Sequence, residues 1–190
     1  MKKIAVFCGS STGFDNEISK QAKLLGKALV KNNIDLVYGG TNVGLMGIIA
    51  NTVLKENGKA IGVIPDFIKN FKLSHNNLTE LIIVKTMHER KAKMSKLADG
   101  FIALPGGFGT MEELFEVLTM SQLNLHYKPV ALLNTNNFYN ELLLMMKTMV
   151  NKGFLKQINL DLLIVSDNIE DLLNKMHNYK ITTEKKWEIN

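Results

Sequence analysis

Short apolar runs alternate with amphipathic stretches along most of the chain. Lys3 to Cys8 is an apolar run closed by Gly9-Ser10-Ser11, which predicts a first strand and turn. Ile18, Ala22, Leu25 and Leu29 then recur at helical spacing, with Asp15 placed to cap that helix. Asp35 to Tyr38 predicts a second strand, closed by Gly39-Gly40-Thr41-Asn42-Val43-Gly44. A helix carrying Met46, Ile49, Ala50 and Val53 follows and stops at Asn57-Gly58. Lys59 to Ile64 predicts a third strand, stopped by Pro65, and the polar segment 66–77 lacks periodicity and reads as an irregular rim loop. Leu81 to Val84 predicts a fourth strand and Met87 to Leu97 a helix. The run Gly100 to Leu104 predicts a strand, and Thr110 to Gln122 an amphipathic helix. Pro129 to Leu133, Phe138 to Val150, Leu162 to Val165 and Ile169 to Met176 complete a strand–helix–strand–helix ending.

The strands are apolar runs rather than alternating patterns, as expected when both faces of a sheet are covered. Strands and helices in alternation then predict an α/β fold, a doubly wound parallel sheet of about six to seven strands. Residues 1–180 read as a single domain, without linker or internal repeat, and 181–190 as a charged C-terminal tail. In such sheets ligands bind beyond the carboxyl ends of the strands. Three predicted strands end there in glycine-bearing turns: Gly9-Ser10-Ser11, Gly39-Gly40-Thr41 and Gly106-Gly107-Phe108-Gly109.

Composition narrows the class. With 190 residues, 46% of them hydrophobic, the chain is long enough for a sizeable core. Its apolar runs are of strand length, so neither a membrane span nor a signal peptide is expected. Cys8 is the one cysteine, which rules out an internal disulfide and suits a cytoplasmic location. The net charge of +5 is spread along the chain, with no arginine-rich or aromatic-interleaved stretch of the kind that binds nucleic acid. Of the 23 basic residues one alone is arginine, Arg90. A planar fork of donors at that position, where lysine is written everywhere else, suggests that a guanidinium is required.

The chemistry concentrates in Pro105-Gly106-Gly107-Phe108-Gly109-Thr110-Met111-Glu112-Glu113. Glycines let a ligand approach the main chain closely, and a helix N-terminus adds unpaired N–H donors, so the turn is suited to a phosphate. The phosphoryl-transfer motif G-x-x-x-x-G-K-[ST] is absent, and the first turn is not G-x-G-x-x-G, which disfavours NTPases and dinucleotide oxidoreductases. No spacing of His, Cys or carboxylates suggests a metal. Glu113 has two readings at this point. Thr110 and Glu113 have the spacing of a capping box, in which the glutamate only serves the helix end; alternatively Glu113 is a reactive carboxylate beside the anion cradle.

Met87-His88-Glu89-Arg90-Lys91 matches M-x-x-R-K and 105–113 matches P-G-G-x-G-T-x-x-E. Supporting matches are Cys8-Gly9-Ser10-Ser11, Tyr38-Gly39-Gly40, Gly44-Leu45-Met46-Gly47 and Thr119 with Gln122-Leu123. Together these resemble the LONELY GUY (LOG) family of cytokinin riboside 5′-monophosphate phosphoribohydrolases, whose members were often labelled lysine decarboxylases. The resemblance implies a Rossmann-like fold, a homodimer and hydrolysis of a nucleoside 5′-monophosphate to base and ribose 5-phosphate without a cofactor. It places the catalytic roles on Arg90 and Glu113. The family's substrate-binding positions match Lys91, the turn Gly106, Gly107, Phe108, Gly109, Thr110, Met111 and Glu112, and Thr119. Gly9, Ser10, Gly40 and Thr41 are added as candidate substrate-binding residues because their glycine-bearing turns share the carboxyl edge of the sheet and offer hydroxyl donors to a phosphate.

Lys72 stands where plant members carry a substrate-contacting glutamate, and Met120 replaces a common tryptophan. The choice between prenylated adenine and plain AMP therefore stays open. The alternatives are a non-catalytic binder of nucleotide or molybdenum cofactor, and a decarboxylase, which would need a Schiff-base lysine.

Overall fold

The computed structural model describes residues 1–69 and 73–180. Lys72 and the tail 181–190 lie outside the described residues. Seven strands form one sheet, all pairs parallel: β1 Lys3–Phe7, β2 Asp35–Tyr38, β3 Ala60–Pro65, β4 Glu80–Val84, β5 Gly100–Ala103, β6 Val130–Leu133 and β7 Leu163–Ser166. The helices are α1 Asn16–Lys31, α2 Gly44–Lys55, α3 Asp66–Lys69, α4 Met87–Leu97, α5 Phe108–Gln122, α6 Asn140–Asn151, α7 Gln157–Leu160 and α8 Ile169–His177. The expected doubly wound α/β fold is the one observed.

The strand order is β4-β3-β2-β1-β5-β6-β7. The chain works outward from β1 to β4, then crosses back to lay β5 on the other side of β1. This reversal creates a crevice at the carboxyl ends of β1 and β5, the place where open α/β sheets bind ligands. The register there pairs Ile4 with Gly100 and Phe7 with Ala103, so the two strands end level and their turns face each other.

The run-like strands divide their side chains between two cores. Ile4, Val6 and Cys8 pack with Leu25 and Leu29 of α1, Ile49 of α2 and Leu172 of α8. Ala5 and Phe7 pack on the opposite face with Met94 of α4, Leu114 and Val117 of α5 and Met146 of α6. Two-residue alternation and an unbroken apolar sequence are thus compatible because both faces are dry.

Several boundaries differ from the pattern-based expectation. The helix after β6 starts at Asn140 instead of Phe138, because Thr135–Asn137 form a tight turn with Asn136 and Asn137 in the left-handed region. Part of the supposed rim loop is ordered by its neighbours: Asp66–Lys69 make one helical turn, and Ser74 bridges to Thr41.

Two buried histidines brace this frame as neutral rings. His126 Nδ1 accepts from the Lys128 N–H at 3.2 Å, so Nε2 carries the proton and donates to Val117 O at 2.9 Å. His75 Nδ1 accepts from the Asn77 N–H at 3.1 Å, and Nε2 donates to Asn51 Oδ1 at 3.1 Å. Burial pushes both pKa values below the usual 6.5. Below that pH the unfolded chain binds protons that the folded one refuses, so stability falls as pH drops from 6.5 toward the depressed folded values. Thermal unfolding should show a midpoint several degrees lower at pH 5 than at pH 7, at about 2–4 °C per kcal/mol lost. In His126→Gln that decrease should shrink.

Candidate active site

Three turns meet at the crevice. The Gly9 N–H donates to Pro105 O at 3.1 Å, tying the β1 turn to the β5 turn, and the Leu45 N–H at the start of α2 donates to Gly9 O at 3.1 Å. The Leu104 N–H donates to Phe7 O at 2.9 Å. Gly106 is held so tightly that a Cβ would overlap Thr110 Oγ1 and crowd Gly9 N at 2.9 Å, whereas Gly107 and Gly109 have open space on that side.

Helix ends differ in how they are finished. α1, α4 and α8 begin with side-chain caps from Asp15, Thr86 and Asn168, each with an acid in the first turn. α2 and α5 have neither cap nor first-turn acid. The start of α2 is closed against the β1 turn by its bond to Gly9 O. The start of α5, at Gly107, opens into the crevice with first-turn N–H groups that no side chain caps. That end is where a phosphate gains most from the helix dipole and unpaired donors.

Because α5 begins at Phe108 and not at the expected Thr110, Thr110 is the third helical residue, buried against Gly106. It is not the N-cap, and the capping-box reading of Glu113 falls with it. Glu113 turns inward. It is 7% exposed, and its Oε1 lies 3.3 Å from Arg90 Nη1. That oxygen is buried and makes no well-aligned hydrogen bond, so its acceptor capacity is not used up by the contact with Arg90.

The arginine is held on three sides. Arg90 Nε donates to Val63 O at 3.2 Å, and Nη1 reaches Met87 Sδ as well as Glu113. Nη2 lies over Gly39, where any Cβ would overlap it. Burial pushes the Glu113 carboxyl above its ordinary 4.5; Arg90 opposes this, while Glu112 reinforces it.

Lys91, next on α4, pairs with Glu112 and with Glu116 at 3.3 Å. Burial would lower its pKa, but the hydrogen bond to Glu112 and the charge of Glu116 outweigh that and raise it. The two ion pairs clamp α4 to α5 beside the Arg90–Glu113 contact.

Comparison with known proteins decides the lineage. Residues 46–176 match the family model described as "Possible lysine decarboxylase". Cytokinin riboside 5′-monophosphate phosphoribohydrolase LOG1 of Arabidopsis thaliana is 42% identical over 193 residues, covering 99% of this chain and 91% of that protein. LOG2 of the same plant is 44% identical over 94% of this chain and 84% of its own length. The chain belongs to the LOG family.

The fold is shared more widely. The molybdenum cofactor binding protein of Rippkaea orientalis superposes with a TM-score of 0.70 at 23% identity, covering 92% of this chain and 94% of the other. The molybdenum cofactor carrier protein of Chlamydomonas reinhardtii gives 0.67 at 18% identity, covering 92% and 95%.

Of the family's motif positions, the structure brings Arg90, Lys91, Glu112, Glu113 and the 106–110 turn together with Gly9. Gly40, next to the Gly39 that underlies Arg90, packs on Ile64, Leu81 and Val63 instead. Ser10 is exposed beside the start of α2. Thr41 is buried, its hydroxyl directed at Met46 Sδ at 3.5 Å. Met111 turns toward the core under β5. Phe108 stands 95% exposed at the mouth. Thr119 lies well along α5, in a groove with Gln122, Met146 and Met149, away from the Arg90–Glu113 pair.

Two contributors escape the motif-based reading. Gly39 is visible in Tyr38-Gly39-Gly40, but its duty toward Arg90 is not. Val63 acts through its carbonyl, which leaves no mark in the sequence. Cys8 is buried and burial pushes its thiol pKa up, as suits a packing residue. Among the described residues no three His, Cys, Asp or Glu side chains are grouped to hold a metal, and no helix is long and apolar enough to cross a membrane.

Proposed function

We propose that this protein hydrolyses the N-glycosidic bond of nucleoside 5′-monophosphates, AMP and cytokinin riboside 5′-monophosphates being the candidate substrates, releasing base and ribose 5-phosphate. The observation that carries the reading is the buried Arg90–Glu113 pair, 3.3 Å apart, one turn inside an uncapped helix start. The N–H groups of the α5 start take the 5′-phosphate. Glu113, one turn deeper, faces the anomeric carbon. Breaking the bond from C1′ to the base builds positive charge on the ribose, which the carboxylate stabilises while it orients or deprotonates the attacking water. Arg90 keeps Glu113 ionised against its burial. One such positioned charge contributes on the order of 3 kcal/mol to lowering the barrier.

A decarboxylase with a Schiff-base lysine does not fit the residues present. Lys91, the lysine nearest the pair, has a raised pKa and is engaged by two carboxylates. Lys128 has the lowered pKa such chemistry wants, through burial, but it precedes β6 at the opposite edge of the sheet and its ammonium donates to Ser95 O at 2.7 Å. A non-catalytic binder would use the glycine turns without needing a buried acid beside a guanidinium.

We also take residues 1–180 as one nucleotide-binding unit, cytoplasmic and homodimeric; exposed Leu144 and Met145 on α6 support a partner surface. The test is incubation with AMP and with isopentenyladenosine 5′-monophosphate, followed by chromatography of the products. Base release from at least one is expected, and folded protein that releases none from either overturns the reading in favour of a binder. Gly39→Ala should lower kcat by about tenfold or more, because the added methyl dislodges the Arg90 guanidinium. Steady-state kinetics check this, and unchanged turnover would mean that Arg90 does not need its observed place.

A further inference from the structure

We propose that Tyr139 is a positioning residue of this site: its hydroxyl, acting through the Leu104 carbonyl, fixes the glycine turn that holds the phosphate. The inference rests on reading that turn as the phosphate cradle.

Leu104 to Gly107 link β5 to α5. From the β1 side the link is tied twice, by Leu104 N–H to Phe7 O at 2.9 Å and by Gly9 N–H to Pro105 O at 3.1 Å. From the β6 side it is tied by Tyr139, whose hydroxyl donates to Leu104 O at 2.6 Å. Pro105 has no N–H to contribute, so the carbonyl before it is the handle available on that side.

Tyr139 is itself held rigidly. Its N–H donates to Asn134 Oδ1 at 2.8 Å, and Asn134 Nδ2 in turn donates to Asn140 Oδ1 at 2.9 Å. Phe138 meets its ring edge-on, with centroids 4.8 Å apart at 89°. The preceding turn contains Asn136 at φ 49° and Asn137 at φ 61°, and Asn136 Nδ2 donates to Asp15 Oδ2 at 2.8 Å. Both left-handed residues are asparagines, which tolerate that conformation, and the bond from Asn136 to Asp15 anchors the turn to the start of α1. A phenylalanine would fill the same space as Tyr139. What the braced connection adds is one buried hydroxyl delivered to one carbonyl at the root of the cradle.

Glu113 and Arg90 are held by other contacts, to Gly39, Val63 and the α4–α5 clamp. Loss of the Tyr139 hydroxyl should therefore affect binding more than chemistry. In Tyr139→Phe, KM for AMP should rise about tenfold, inhibition by ribose 5-phosphate should weaken in parallel, and kcat should stay within about threefold. Unchanged KM and inhibition in the folded variant would overturn the inference. So would losses in kcat and KM that merely track a fall in thermal midpoint, since the hydroxyl would then only satisfy a buried carbonyl. If Tyr139→Phe does not fold, Phe138→Ala removes the ring that aligns the hydroxyl and should raise KM in the same direction; no change there overturns it equally. Folded wild-type protein that neither releases base from AMP nor binds AMP or ribose 5-phosphate sinks the cradle reading and this inference together, whereas a wild type that binds them beside an unaltered variant sinks this inference alone.

Discussion

Glu113→Gln is expected to lower kcat by at least about a hundredfold while KM stays within about threefold. The substitution preserves shape and removes the charge. The proposed phosphate site is the α5 start, which the change leaves in place, so the nucleotide should still bind. What disappears, on the proposed mechanism, is the negative charge facing the sugar carbon as it becomes cationic, and the group that orients water toward it. A variant that keeps its turnover and loses only thermal stability would return Glu113 to a structural role.

The same carboxyl sets a pH signature in the wild type. Burial holds its pKa above the ordinary 4.5, so the acid limb of the kcat profile should lie above that value, with activity gained as pH rises and Glu113 ionises.

Arg90→Lys is expected to lower kcat by about thirtyfold or more, despite conserving charge. The observed guanidinium uses separate nitrogens at once: Nε toward Val63 O at 3.2 Å and Nη1 toward Glu113 at 3.3 Å, with Nη2 laid over Gly39. A lysine ammonium is a point charge and does not span these partners. With the counter-charge displaced, less opposes the burial of Glu113, and the acid limb should move further up in pH. Near-normal turnover with an unmoved limb would show that a positive charge anywhere nearby suffices.

Much of this architecture was legible in the residues. The apolar runs and intervening helical spacings specify a doubly wound parallel sheet, because such strands need cover on both faces. The glycine turns at 9, 39–40 and 106–109 mark the carboxyl edge. The solitary Arg90 signals a demand for guanidinium geometry that composition alone exposes.

What was not legible depends on partners distant in sequence. The capping-box spacing of Thr110 and Glu113 is genuine, but it presumes a helix starting at Thr110. The winding of α5 from Phe108, with Thr110 packed on Gly106, turns the same four residues into an inward-facing acid. Val63 contributes only main chain. Tyr139 falls inside the helix expected from Phe138 and is unremarkable there, until the left-handed turn at Asn136–Asn137 places its hydroxyl on Leu104 O at the end of β5. Thr119, expected from the resemblance among the substrate-binding positions, lies along α5 in a groove with Gln122, Met146 and Met149, a placement that spacing along the sequence does not reveal.

The central claim is a cut between sugar and base. Its most direct test is to quantify every product of AMP turnover by the wild-type protein, with Glu113→Gln beside it. The account predicts adenine and ribose 5-phosphate in equal amounts from the wild type, with the rate falling about a hundredfold in the variant. Adenosine with inorganic phosphate, or equal rates from the two proteins, would contradict it.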